Sequence, residues 1–176
     1  MTSMGSAALA SSFYIPSLQT DRKLKVGLIG AGWYGMVDIN AAFKAGGIEV
    51  TAICDVDSDH LKTSADDIEK LQGYRPKTFK YYRELLDMKG FDAIFIGAPP
   101  QWHALMFIDV CKMGYDVYCE KPVSHSFVEA KAMAAAARHF RRVVQVGAWQ
   151  RSVPHFRQAI EFVRSGRMGK VHLCRA

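Results

Sequence analysis

Apolar and polar positions along the chain fall into a repeating order of short apolar runs and longer segments with helical period. Lys25 to Ile29 is a β-rich run. After a glycine turn, "WYGMVDINAAFKAG" has apolar residues at helical spacing (Trp33, Met36, Val37, Ala41) and stops at Gly46-Gly47. Ile48 to Cys54 reads as a second strand, and Ser58 to Leu71 as a helix with a Ser-x-x-Leu start and Gly73 as its stop. Then come a strand in "KTFKY", a helix in "YRELLDMKG", a buried strand at Asp92 to Gly97 and a helix in "QWHALMFIDVCKMG" ended by Gly114. A strand in "YDVYCEKP", an Ala-rich helix in "SFVEAKAMAAAARHF", a strand in "RVVQVG" and a helix in "VPHFRQAIEFVRSG" follow. "KVHLCRA" reads as a final strand that either pairs at an edge of the same sheet or opens something larger. Strands alternating with helices, and nearly continuous in apolar residues, predict a doubly wound α/β fold: parallel strands need crossovers, and those crossovers bury both faces of the sheet.

Composition narrows the function classes. A chain of 176 residues with 49% hydrophobic content can bury a core. The net charge of +6 is scattered among acidic residues, apart from "RHFRR" (Arg138 to Arg142). That run falls where a helix should end, where cations offset exposed carbonyls, so no nucleic-acid partner is expected. Cys54, Cys111, Cys119 and Cys174 show neither metal-ligand nor redox spacing, so buried free thiols are expected and no metal. No segment approaches the roughly 20 apolar residues of a membrane span, so no membrane partner is expected. Residues 1–22, small and Ser-rich, have no period of their own and read as a disordered tail.

The chemistry begins at "VGLIGAGWYG". Gly30 allows a tight turn, Gly32 lets backbone approach a pyrophosphate, and Gly35 lets the helix pack close to the strand, while the helix start supplies N–H donors. At the end of the second strand lies Asp55, placed to accept hydrogen bonds from ribose hydroxyls and to repel a 2′-phosphate, which favours NAD over NADP. The structural alternative is a plain glycine turn, with the acid capping the helix near Ser58. Ligands of such sheets sit beyond the carboxyl ends of the strands. Ala98-Pro99-Pro100 ends one strand there and would wall the ribose and nicotinamide side, and Glu120-Lys121-Pro122 ends the next. Lys121 would hydrogen-bond or deprotonate a substrate hydroxyl. Trp149, Gln150 and Arg151 follow the sixth strand and are expected to face the same mouth. Trp33, Tyr34, His103 and Gln150 join the candidate cofactor-binding residues, with His103 placed on a helix at the domain surface.

"VGLIGAGWYG", "CDVD", "GAPPQWH", "CEKPVS" and "VGAWQRSVPHFRQAIEFVRSGRMGKV", in that order and spacing, resemble the N-terminal half of the Gfo/Idh/MocA oxidoreductases. The resemblance implies a Rossmann domain over residues 23–148 that binds NAD, or less readily NADP. It also implies hydride transfer at a sugar or polyol carbon, Lys121 as the motif lysine that contacts substrate and cofactor, and a cis bond before Pro122. Residues 149–176 would be the linking helix and first strand of a second α/β domain. That domain would supply an Asp/His pair and the sheet through which a full-length parent forms homo-oligomers, so the 176-residue chain is expected to be incomplete for catalysis. Ala98-Pro99-Pro100 departs from the family's usual Thr-Pro-Asn and lacks a threonine hydroxyl. Leader-bearing relatives make "AALASSFYIPS" resemble a leader remnant, leaving cytoplasmic and periplasmic locations both open. NAD-dependent glycoside hydrolysis on the same fold, and a non-catalytic nucleotide-binding fragment, are the alternatives.

Overall fold

The computed structural model describes residues 22–175. The tail and leader expectations fall almost wholly on residues outside that range. Six strands form one parallel sheet: β1 (Leu24–Ile29), β2 (Ile48–Cys54), β3 (Lys77–Phe79), β4 (Ala93–Ile96), β5 (Asp116–Glu120) and β6 (Val144–Gly147). Their order is β3-β2-β1-β4-β5-β6. The crossovers are α1 (Trp33–Ala45), α2 (Ser58–Gln72), α3 (Tyr82–Asp87), α4 (Pro100–Lys112) and α5 (Phe127–His139), and α6 (Pro154–Arg164) follows β6.

Side-chain alternation along the strands sends two apolar sets to opposite faces. Val26, Leu28, Val50 and Ile53 pack under α1 and α2 with Ile39, Ala65 and Ile68. Ile29, Cys54, Ile94, Ile96, Val117 and Cys119 pack under α3, α4 and α5 with Leu85, Phe107, Val110 and Met133. The sheet is therefore covered on both sides, as the continuous apolar strands predict. The order reverses between β1 and β4, which opens a crevice at their carboxyl ends.

Three expectations need correction. "KVHLCRA" forms no strand: residues 170–175 lack regular structure and are exposed, because no strand among the described residues stands beside them and a lone strand leaves its backbone groups unpaired. The α1 stripe is rotated. Gly35, Asp38 and Ile39 are the buried positions, whereas Trp33 is 80% and Val37 44% exposed. The helix meets the sheet through a glycine, and this brings the face beside it inward. Finally, α2 does begin at Ser58, but its cap is the residue before: Asp57 accepts the N–H groups of Asp59 and His60 at 2.8 and 3.1 Å.

The basic run does end a helix. Arg138 and His139 lie in the last turn of α5, and the Arg142 guanidinium donates to the carbonyls of Phe140 and Gly114. Cys54, Cys111 and Cys119 are buried free thiols, while Cys174 is exposed. Burial pushes the Cys54 and Cys119 thiols up to about 12, so neither is a ready nucleophile.

Candidate cofactor and active site

Parallel pairing aligns the strand ends in one row. Cys54 pairs with Ile29, Ile29 with Ile96, and Ile96 with Cys119. The next residue on each strand is therefore Asp55, Gly30, Gly97 and Glu120 in turn, with Gly147 opposite Glu120. Backbone occupies the centre of the row, and a carboxyl group stands at either side.

The centre is tight because two glycine-lined segments touch. Gly30 has φ +88, and a Cβ there would lie 2.5 Å from the Ala98 nitrogen. A Cβ on Gly35 would collide with the Gly30 carbonyl oxygen, and one on Gly97 would reach the Gly35 Cα at 2.8 Å. Gly35 and Gly97 are thus the contact through which α1 sits down on β1 and β4. Gly32 differs. Its Cβ would meet only the His60 ring, at 3.5 Å, so the space in front of it is open.

α1 begins at Gly32 with no side-chain cap and no acidic residue in its first turn. Its free N–H groups and positive dipole end suit an anion. Asp55 lies beside this start. Its Oδ1 accepts the Asp57 N–H at 3.0 Å, and since Asp57 caps α2, Asp55 is not the helix cap of the structural alternative. An open cradle, uncapped donors and a neighbouring carboxylate together fit a dinucleotide: pyrophosphate at Gly32 to Gly35 and ribose hydroxyls at Asp55.

On the other side, the Lys121–Pro122 bond is cis. The Lys121 ammonium stands over the Tyr34 ring, 5.1 Å from its centroid, and Tyr34 meets Trp33 edge to face at 5.5 Å. The first turn of α1 and the end of β5 therefore share one mouth. The Lys121 N–H donates to Glu120 Oε2 at 2.7 Å, and the Tyr118 hydroxyl donates to Glu120 Oε1 at 3.1 Å. Trp149, Gln150 and Arg151 form a 3₁₀ turn just after β6, at the same end of the sheet.

His103 is not at the surface. It is 1% exposed, with Nδ1 2.9 Å from the Pro122 carbonyl oxygen and Nε2 2.6 Å from that of Ala98. Both ring nitrogens are engaged inside the domain, so His103 ties the loop after β4 to the loop after β5. Ala98 and Pro99 form the first of those loops, and Pro100 starts α4. Asp38 carries no motif signal in the sequence, and its place beside Glu120 follows from how α1 packs on the sheet. Gly97 and Gly147 lie within "GAPPQWH" and "VGAWQRS", but their roles show only in the folded chain, Gly97 against Gly35 and Gly147 opposite Glu120.

The family described as the oxidoreductase family with NAD-binding Rossmann fold, Gfo/Idh/MocA, matches residues 24–148. The chain belongs to the Gfo/Idh/MocA family. It is 27% identical over 152 residues to the rhizopine catabolism protein MocA of Rhizobium meliloti, a match spanning 86% of this chain and 45% of that protein. It is 32% identical over 124 residues to a glycosyl hydrolase family 109 protein of Stenotrophomonas maltophilia, spanning 65% and 27%. Among solved structures, the myo-inositol 2-dehydrogenase of Lactobacillus plantarum superposes with a TM-score of 0.76 at 28% identity, covering 85% of this chain and 43% of that one. The chain thus spans less than half the length of these Gfo/Idh/MocA relatives, and what it contains is their NAD-binding Rossmann domain.

Proposed function

We propose that the protein transfers hydride between NAD and a carbinol carbon of a sugar or polyol, with Lys121 at the reacting hydroxyl. The observation that carries this reading is the shared mouth: the uncapped start of α1 and the Lys121 ammonium meet over Tyr34. NAD, when bound, supplies the hydride acceptor. The α1 N–H groups hold the pyrophosphate, and Asp55 accepts from the adenosine ribose and disfavours a 2′-phosphate, so NAD is preferred to NADP. Lys121 hydrogen-bonds the substrate hydroxyl and, in its neutral amine form, takes the hydroxyl proton to become the ammonium as hydride leaves the same carbon for NAD. The relatives named for rhizopine catabolism and inositol oxidation support a cyclitol or sugar as the small-molecule substrate.

The test is NADH formation with polyols and sugars in the full-length protein, wild type against Lys121→Met. The variant should lose kcat by about 10²- to 10⁴-fold with little change in NAD affinity. Unchanged turnover would remove Lys121 from the chemistry. The glycosyl hydrolase relative favours a second reading, glycoside cleavage with NAD held throughout. Release of an aryl glycoside's leaving group without net NADH would select that reading, whereas net NADH with a free polyol selects the first.

A further inference from the structure

Beneath Lys121, on the sheet face covered by α1, two acidic side chains meet in the interior. Glu120 is 3% exposed and Asp38 8%. Both Glu120 oxygens are engaged, one with the Tyr118 hydroxyl and one with the Lys121 N–H. Asp38 Oδ2 is buried without a hydrogen-bond partner. The sheet makes room for this arrangement. Gly147 pairs with Glu120 across β5 and β6, and any Cβ on it would collide with the Glu120 carboxylate. Phe95 stacks on Tyr118 at 5.0 Å and closes the site from the β4 side.

Two ionised carboxylates in this setting would need a cation. The charged and titratable groups facing Asp38 are Glu120 and Tyr118 from β5; Tyr34 lies close by on α1 itself, and Lys121 follows β5. The Lys121 ammonium stands over the Tyr34 ring, and among the described residues no cluster of three metal-ligating side chains forms. A proton resolves the conflict: a neutral carboxylic acid donates to its ionised neighbour, as in other carboxyl pairs.

We propose that Asp38 donates a hydrogen bond to Glu120 as a neutral acid, and that this acid–carboxylate pair positions Lys121 through its backbone N–H. Burial, and after it the charge of Glu120, pushes the Asp38 carboxyl up to about 7. Near neutral pH the pair is therefore poised between one proton and none. With the proton gone, Glu120 faces a second charge and its hold on the Lys121 N–H loosens. Asp38 acts through Glu120 and the Lys121 backbone, and is therefore a positioning residue. Its influence on Lys121 chemistry rests on the reading of Lys121 above, whereas its protonation does not.

The experiment is a pH titration of the full chain by carboxyl-carbon and amide NMR, for wild type, Asp38→Asn and Glu120→Gln. In wild type, the Asp38 carboxyl should titrate near neutrality and the Lys121 amide should follow the same midpoint. Asp38→Asn keeps the donor and removes the proton, so the Lys121 amide should become independent of pH from 5 to 8. Glu120→Gln removes the opposing charge and should lower the Asp38 midpoint by about one pH unit or more. An Asp38 midpoint in the ordinary carboxylate range, near 4, would overturn the proposal. A neutral midpoint that the Lys121 amide ignores would overturn the positioning role. Neither result touches the functional reading, which falls only if Lys121→Met turns over normally.

The thermal midpoint supplies an independent readout in the same samples. A carboxyl whose folded value lies above its unfolded 3.8 favours the fold most at acid pH, and the contribution fades as pH rises to about 7. Wild type should lose thermal stability between pH 5 and 8, and Asp38→Asn should flatten that slope. A slope unchanged in Asp38→Asn would count against the neutral acid.

Discussion

Helices α1 and α2 follow neighbouring strands and cover the same face of the sheet, yet their N-termini are built in opposite ways. α2 closes its own start: the Asp57 carboxylate takes two N–H groups, and Asp59 adds negative charge in the first turn. α1 closes nothing, since Gly32 offers no side chain and no acid follows it. A missing cap costs about 1 kcal/mol in an ordinary helix. The α1 start is free to take an anion from outside, and the glycine contacts that press it against β1 and β4 keep its donors at the carboxyl edge of the sheet.

The sharpest break is at the contact that seats α1. Gly35→Ala drives a methyl group into the Gly30 carbonyl, a backbone atom unable to swing aside, so the helix must shift. Overpacking of this kind costs about 1–3 kcal/mol. Thermal unfolding should show that loss, and calorimetric titration with NAD should show no binding. Normal affinity would mean that α1 need not sit against the strand to make the cradle.

Gly32→Asp tests the open start itself, by giving α1 the cap that α2 already has. A Cβ at Gly32 meets only the His60 ring at an ordinary 3.5 Å, so the fold should hold and gain a few tenths of a kcal/mol from the cap. NAD affinity should fall about 100-fold, roughly 2.8 kcal/mol, as the carboxylate occupies the donors and repels the pyrophosphate. A stable fold with unchanged affinity would show that the pyrophosphate binds elsewhere.

The same contrast explains what can be read from the sequence. The order of strands and helices is legible because apolar period is local, and the glycine loop and Glu120-Lys121-Pro122 are legible because each lies within a few residues. Asp38 is not, since the Glu120 carboxylate it meets lies far along the chain and fits there only through the space left by Gly147 on yet another strand. His103 fails for a similar reason: the carbonyls of Ala98 and Pro122 that draw it inward become neighbours only when β4 and β5 pair. "KVHLCRA" has strand composition, but a strand is made by its partner, and none among the described residues lies beside it.

The smallest effect belongs to the closed start of α2. Asp57→Ala removes the side chain that accepts from Asp59 and His60, so the thermal midpoint should fall by roughly 2–4 °C. NAD affinity should not change, because the ribose contact proposed for Asp55 uses its own carboxylate and needs Asp57 only as the donor of a backbone N–H. The two N–H groups hold the Asp57 carboxyl below its ordinary value, so its contribution is present above the unfolded 3.8 and is lost as pH falls through the lower folded value. Wild type and variant should therefore differ at pH 7 and converge in acid. If the two melt together at pH 7, or if NAD binding falls along with stability, then the ends of α1 and α2 are coupled, and the division between a start that serves the fold and one that serves the ligand does not hold.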